Sequence, residues 1–169
     1  IVNDGSNSNE IFLKLKEYPE CDLLEYQDNK GKGYALKYGI NHYLENYKNN
    51  YKGIITMDAD YQHLPEDAIN LASLLLKNQD SLILGVRNFD LENIPKPNKI
   101  GNKITSLIFK ILYGIKISDT QTGLRGIPNR YLNLCLEIDG NRFEYETNVL
   151  IKFSRKKINI LETSINTVY

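Results

Sequence analysis

Apolar positions along the chain fall into short continuous runs and helix-spaced stripes, and the two kinds of segment take turns. Ile1-Val2 ends a strand that enters the turn Asn3-Asp4-Gly5-Ser6, and Cys21 to Tyr26 is a second short strand. Between them, Ser8 or Asn9 suits the cap of a helix from about Glu10 to Glu17, with Ile11, Phe12 and Leu15 on one face. The loop Asp28-Asn29-Lys30-Gly31-Lys32-Gly33 leads into a helix from Tyr34 to Tyr47, with Ala35, Tyr38, Ile40, Tyr43, Leu44 and Tyr47 as buried candidates. Gly53 to Met57 predicts a buried strand. Pro65, Glu66 and Asp67 suit a first helical turn, since proline has no N–H to lose there and acids complement the dipole. That helix reaches about Lys77, and Ser81 to Val86 is the next strand. Pro95 and Pro97 break the chain before a helix from about Gly101 to Tyr113, where Ile104, Leu107, Ile108, Ile111 and Leu112 recur at helical spacing. Its apolar face is expected to be core, with a membrane surface as the alternative. Leu124 to Ile127 is a short strand or turn, Pro128 to Leu136 and Tyr145 to Ser154 are helices, and Ile158 to Glu162 and Ile165 to Val168 are late strands.

Such alternation predicts an α/β fold with a largely parallel sheet flanked by helices, in one domain over residues 1–169. Ligands in such sheets sit at the carboxyl ends of strands. Composition narrows the choices. The 21 basic and 21 acidic residues cancel, which gives no reason to expect nucleic acid as a partner. Cys21 and Cys135 match neither a CxxC nor a zinc spacing and are expected to be ordinary thiols. No apolar run reaches the roughly 18 to 20 residues of a membrane span and no signal peptide opens the chain, so a cytoplasmic location is expected. The chain begins at Ile1 and its single methionine is Met57, so it is expected to be a piece of something longer.

Three strand-end loops carry the candidate chemistry. Ile54 to Met57 runs into Asp58-Ala59-Asp60-Tyr61-Gln62. Alternate residues of an extended chain point the same way, so Asp58, Asp60 and Gln62 are expected to converge. Such oxygen ligands suit Mg2+ or Mn2+, with a substrate diphosphate completing the shell; the alternative is a solvated turn that caps the next helix. Asp4, at the end of the first strand, offers acceptors to a nucleobase or ribose, or else caps a helix. Lys30, Gly31 and Gly33 allow close backbone approach and phosphate contact, without matching a Walker or dinucleotide motif. Downstream, Arg87 has a fork suited to phosphate oxygens, and Asp119 and Arg125 flank a turn as substrate contacts or as a simple ion pair. Glu144 either complements a helix dipole or touches substrate.

Taken in order, NDGS, NKGKGYALKYGI, DADYQHLPED, LGVRNF, DTQTGLRGI and RFEYETNVL resemble an inverting family 2 glycosyltransferase of the GT-A, Rossmann-like fold. Within that family the motifs are most similar to those of polyprenyl- or dolichyl-phosphate sugar transferases. The resemblance covers nearly the whole chain. It implies a UDP- or GDP-sugar donor, a polyprenyl phosphate acceptor, and a Mg2+ or Mn2+ ion held by Asp58, Asp60 and Gln62. Asp4 would contact the base with Lys30, Gly31 and Gly33 alongside, and Asp58 would face the ribose or diphosphate. Arg87 and Arg125 would neutralise phosphates. Asp60 and Asp119 would act at the metal and the acceptor side, and Glu144 near the sugar.

Two departures from the family pattern stand out. The usual first strand, its loop and its helix have no counterpart before Val2, and Asn3 stands where the first aspartate of D-D-G-S is usual. A strand missing beside the one ending near Asp58 would leave unpaired backbone groups. Lysines at Lys96 and Lys99 also stand where arginines are common. Two alternatives follow: a nucleotide-sugar-binding fragment without turnover, or transfer to a soluble or cell-surface glycan hydroxyl. Peripheral contact with the cytoplasmic face of the membrane and a homodimer are further expectations.

Overall fold

The computed structural model describes residues 1–6, 10–87 and 106–166. Its strands are β1 (Val2–Asp4), β2 (Leu24–Tyr26), β3 (Gly53–Thr56), β4 (Ser81–Arg87), β5 (Arg125–Pro128) and β6 (Asn159–Ile165). The helices are α1 (Glu10–Leu15), α2 (Lys32–Asn46), α3 (Pro65–Lys77), α4 (residues 106–113), α5 (Asn129–Leu136) and α6 (Glu144–Arg155). The expected caps Ser8 and Asn9, the expected start of α4 at Gly101 with Ile104, the Pro95–Lys99 stretch, and Val168 lie outside the described residues.

The fold is α/β, with helices on a central sheet, but the sheet is mixed and not largely parallel. Four strands run in the order β3-β5-β4-β6. β5 is antiparallel to both β3 and β4, while β4 and β6 are parallel. β1 and β2 pair in parallel as a separate two-stranded sheet. Among the described residues β1 and β3 do not pair with each other. Where the pattern predicts a break between strands at 158–162 and 165–168, Asn159 to Ile165 forms one strand in register with Ser81 to Arg87 throughout; residues 167–168 lie outside the described residues.

Alternation along the strands sorts the core into two layers. Leu82, Leu84 and Val86 of β4 join Ile127 of β5 on one face, under Ile40 of α2, Leu132 and Cys135 of α5, and Val149, Leu150 and Phe153 of α6. Ile83 faces the other way, with Leu124 and Ile165, under Leu71 and Leu75 of α3. β4 is therefore covered on both faces, which is why SLILGV reads as an unbroken apolar run. α3 starts at Pro65 with Glu66 and Asp67 in its first turn, as the residue pattern indicates.

Two expected core faces differ. α1 buries no residue, and Ile11 is exposed. In α4, Leu107, Ile108, Ile111 and Leu112 are exposed, while Phe109 is buried. At these four positions the stripe read as core is therefore exposed, and Phe109, which joins the core together with partly buried Tyr113, interrupts it.

Phe153 is fully buried with its ring edge against Tyr131, so Phe153→Ala should cost about 3–5 kcal/mol, read as a lowered urea midpoint. Burial pushes the Cys135 thiol up to about 12, whereas Cys21 is partly exposed. At pH 8 a thiol reagent should modify Cys21 in the native protein and reach Cys135 only on unfolding; equal native rates would contradict this packing.

Candidate active site

The cleft forms where four chain segments converge. It has a volume of about 410 Å³. β1 delivers Asp4, the loop before α2 delivers Asn29 and Gly31, and α2 itself delivers Lys32 and Ala35. The loop after β3 supplies Asp58 and Asp60, and the segment entering α6 supplies Arg142 and Phe143.

Asp4 holds one wall in shape. Its carboxylate accepts hydrogen bonds from the Lys30 N–H at 2.8 Å and the Gly31 N–H at 3.0 Å, and its carbonyl accepts one from Asn29 Nδ2 at 3.0 Å. Neighbouring Asn3 is buried and its Oδ1 accepts from the Ser6 N–H at 3.0 Å, so an amide serves this turn. The Lys30 ammonium lies 4.7 Å from the centre of the Tyr34 ring and faces aromatic surface. Gly31 has φ +96°, and a Cβ there would sit 2.5 Å from the Asn141 carbonyl oxygen. A Cβ on Gly33 would meet the Tyr145 Cβ at the same distance. These glycines let α2 pack against the start of α6, which is a reason for them within the chain itself.

At the centre lies an ion-pair network. Lys32 Nζ is 2.8 Å from Asp58 Oδ1 and 2.7 Å from Glu146 Oε2. It joins the N-terminus of α2 to the loop after β3 and to the first turn of α6. Below it, buried Arg125 donates from Nε to the Thr122 carbonyl at 2.9 Å and from Nη1 to the Glu146 carbonyl at 2.8 Å. Burial pulls the Arg125 guanidinium pKa down, and the nearby Glu146 carboxylate opposes that shift. Gly123 completes the cradle: a Cβ there would fall onto the Asp58 carboxylate.

The extended alternation expected for Asp58, Asp60 and Gln62 is not how they are arranged. β3 stops at Thr56, Tyr61 takes a positive φ of 63°, and Asp60 Oδ1 accepts from the Gln62 N–H at 3.1 Å. Asp58 and Asp60 both line the cleft, whereas Gln62 is not among its lining residues. Asp119 is fully buried and pairs with Arg87, not Arg125: Arg87 Nε donates to Oδ2 at 2.7 Å and Nη2 to Oδ1 at 3.0 Å. Glu144 is exposed and accepts from the Asn141 and Arg142 N–H groups at 3.0 and 3.1 Å. The Arg142 bond leads the effects that hold its carboxyl below the usual range.

The residue pattern does not single out Glu146, Arg142 or Phe143 as site residues, and it marks Lys32 only as one of two loop lysines able to meet phosphate, not as the cation between two carboxylates. Glu146 carried a usable signal, because it falls on the same helical stripe as Val149, Leu150 and Phe153. A carboxylate on a buried stripe requires a cationic partner.

A cation site can be judged from its donors. Among the described residues, no three His, Cys, Asp or Glu side chains gather as a ready metal cage. The cleft does hold three carboxylates (Asp4, Asp58, Asp60) against two cations (Lys32, Arg142). A diphosphate entering alone would meet excess negative charge, while its own oxygens could complete the shell of a divalent ion. The donor set therefore fits a cation that arrives with a phosphorylated ligand.

An α/β domain with an acidic cleft at the end of β3 suits an enzyme that acts on a phosphorylated ligand. Residues 1–134 match the family described as glycosyl transferase family 2. The chain is 28% identical to the UDP-N-acetylglucosamine–dolichyl-phosphate N-acetylglucosaminyltransferase of Methanococcus voltae, over all of this chain and 74% of that protein. It is also 30% and 28% identical to two uncharacterized proteins of Methanocaldococcus jannaschii, over all of this chain and 69% and 76% of theirs. The chain belongs to glycosyl transferase family 2, and it is a glycosyltransferase.

Lys32→Met should destabilise the fold by about 1–3 kcal/mol, because it strands Asp58 and Glu146 without their shared cation. In a urea double-mutant cycle with Glu146→Gln, the two changes should couple by about 1 kcal/mol, and strict additivity would show that the bridge contributes nothing.

Proposed function

We propose that the chain transfers a sugar, with inversion, from a nucleotide-sugar to a polyprenyl phosphate, with a divalent cation bound beside the donor diphosphate. The observation that carries this is the charge balance of the cleft, where Asp58 and Asp60 would repel a diphosphate unless a cation joined it. The Methanococcus relative, whose name specifies UDP-N-acetylglucosamine and dolichyl phosphate, favours uracil over guanine and a lipid acceptor.

In this mechanism Asp58 and Asp60 would hold Mg2+ or Mn2+, which when bound would stabilise the charge growing on the departing nucleoside diphosphate. Lys32 and Arg142 supply fixed positive charge next to it. Asp4 orders the Asn29–Gly31 wall along which the nucleoside lies. An acceptor phosphate oxygen attacks the anomeric carbon from the face opposite the leaving group. A new C–O bond forms as the C–O bond to the diphosphate breaks, and the leaving group takes the electron pair. A phosphate with a second pKa near about 6 is already mostly ionised at neutral pH, so no strong base is needed. Asp119 then contributes by fixing Arg87 for a phosphate, and Glu144 by shaping the turn that presents Arg142. Arg125 supports Glu146 and so acts through Lys32.

A second reading, binding without turnover, is favoured by the separation of β1-β2 from the four-stranded sheet. A strand seated between β1 and β3 would join the two sheets and fix Asp4 relative to Asp58.

Calorimetry with UDP and GDP, with and without Mn2+, should show UDP bound more tightly and strengthened by the metal. Asp60→Ala should abolish sugar transfer while circular dichroism stays unchanged; undiminished turnover would sink the assignment. Metal-strengthened UDP binding without transfer would support the second reading. Labelled sugar should appear in the organic-solvent extract, whereas label in water-soluble glycan would exclude the lipid acceptor.

A further inference from the structure

Asp58 is held from behind and from in front. A Cβ on Gly123 would fall 2.2 Å from Asp58 Oδ2, so the turn before β5 lies directly behind the carboxylate. In front, the Lys32 ammonium sits on both oxygens, 2.8 Å from Oδ1 and 3.0 Å from Oδ2. The carboxylate cannot back away from Lys32, so any exchange of its cation requires the ammonium to move. Asp60, two residues on, is exposed and open to an arriving ion.

A divalent ion and an ammonium group do not share one carboxylate easily. Like charges a few ångströms apart repel, and more strongly where water is partly excluded. The Lys32 and Asp58 side chains are 21% and 29% exposed, so solvent screens them incompletely. An ion reaching Asp58 must therefore turn the ammonium aside. Lys32 has other partners: Glu146 Oε2 holds it at 2.7 Å, and the ring of Phe143 in the cleft wall is centred 6.0 Å from it. Glu146 is itself backed by a second cation. Arg125 Nε lies 3.9 Å from its Oε1, and the buried Arg125 Nη2 makes no hydrogen bond among the described residues. Asp58 is thus the partner that Lys32 can release while Glu146 keeps the ammonium at the site.

We infer that Lys32 is a placeholder for the divalent ion at Asp58: it opposes entry of the ion alone and yields when a nucleoside diphosphate offers the ammonium new oxygens. Ion and diphosphate then bind as a pair, each tightening the other by the same factor. Lys32 is in this role a positioning residue that sets the order in which the cleft is loaded. The cation-assisted sugar transfer on which this role rests requires an ion beside the diphosphate. It does not require the chain to refuse the ion alone.

The test is Mn2+ binding by the whole chain, read from the electron paramagnetic resonance of free Mn2+ against a protein-free control, with no sugar or acceptor present. The native chain should bind Mn2+ weakly by itself and roughly tenfold or more tightly with UDP. Lys32→Met should tighten Mn2+ binding without UDP by about tenfold and shrink the gain that UDP brings. Lys32→Gln, which keeps a hydrogen-bond donor without the charge, should do the same, and it serves if circular dichroism shows Lys32→Met unfolded. Lys32→Arg keeps the charge and should retain the native pattern. Arg142→Met removes an exposed cation of the cleft wall that makes no ion pair with Asp58 among the described residues, and should change Mn2+ binding by no more than about twofold. Unchanged Mn2+ binding without UDP in the neutral Lys32 variants would overturn the inference. So would an equal gain in Arg142→Met, which would mark a diffuse field without displacement. Either result leaves sugar transfer standing where UDP still tightens Mn2+ on the native chain. Absence of that tightening in the native chain would instead remove the cation reading of the cleft, and the placeholder role with it.

Discussion

A single ammonium group holds the active cleft together. Lys32 stands between Asp58 and Glu146, within 2.8 Å of each, and those residues come from the three segments that must meet for a cleft to exist. Removing water from two carboxylates is unfavourable, and a shared cation offsets that cost only in good geometry. The geometry is enforced from both sides. Gly123 leaves room for the Asp58 carboxylate, and Arg125 anchors the backbone of Glu146. Gly31 and Gly33 let α2 approach α6 closely enough for Lys32 to span the gap. Packing and electrostatics are thus one constraint: the small residues exist where the charged ones must come close.

The same logic accounts for the second ion pair. Asp119 has no exposure and would be costly without a partner, and the Arg87 fork satisfies both its oxygens. This ties the end of β4 to the turn before β5, thirty-two residues on. The turn in turn sets Gly123 against Asp58 and gives its carbonyl to the Thr56 hydroxyl at 3.0 Å. A change at Asp119 therefore propagates to the Asp58 carboxylate through packed backbone, without Asp119 lining the cleft.

Local chemistry was legible in the residues, and long-range pairing was not. Pro65 with two following acids marks the start of α3, and SLILGV marks a strand covered on both faces. Nothing in Arg125-Gly126-Ile127-Pro128 reveals that β5 runs against β3 and β4, because strand direction is set by how the chain returns to the sheet. Parallel order was inferred from alternation alone, and one reversed strand suffices to defeat it. The cleft was legible as a set of acidic and glycine-rich loops at strand ends. Its partners were not, because Lys32–Glu146 and Arg87–Asp119 join residues distant in sequence. The stripe on α4 misled for a different reason: helical spacing of apolar residues shows that a face is apolar, and does not show what covers it.

α6 ties the cleft to the body of the fold. Its N-terminal end lies at the cleft, with Arg142 and Phe143 in the wall and Glu146 on Lys32. Along its length Val149, Leu150 and Phe153 are buried in the core, so the stripe that holds Glu146 also fixes the helix on the sheet. Twelve residues at 1.5 Å each separate the ends by about 18 Å. The macrodipole is matched at both ends, with Glu144 and Glu146 in the first turn and Lys152 and Arg155 in the last. Glu146 therefore serves twice, as a favourable charge at the positive end of the helix and as the carboxylate that holds Lys32 in the cleft.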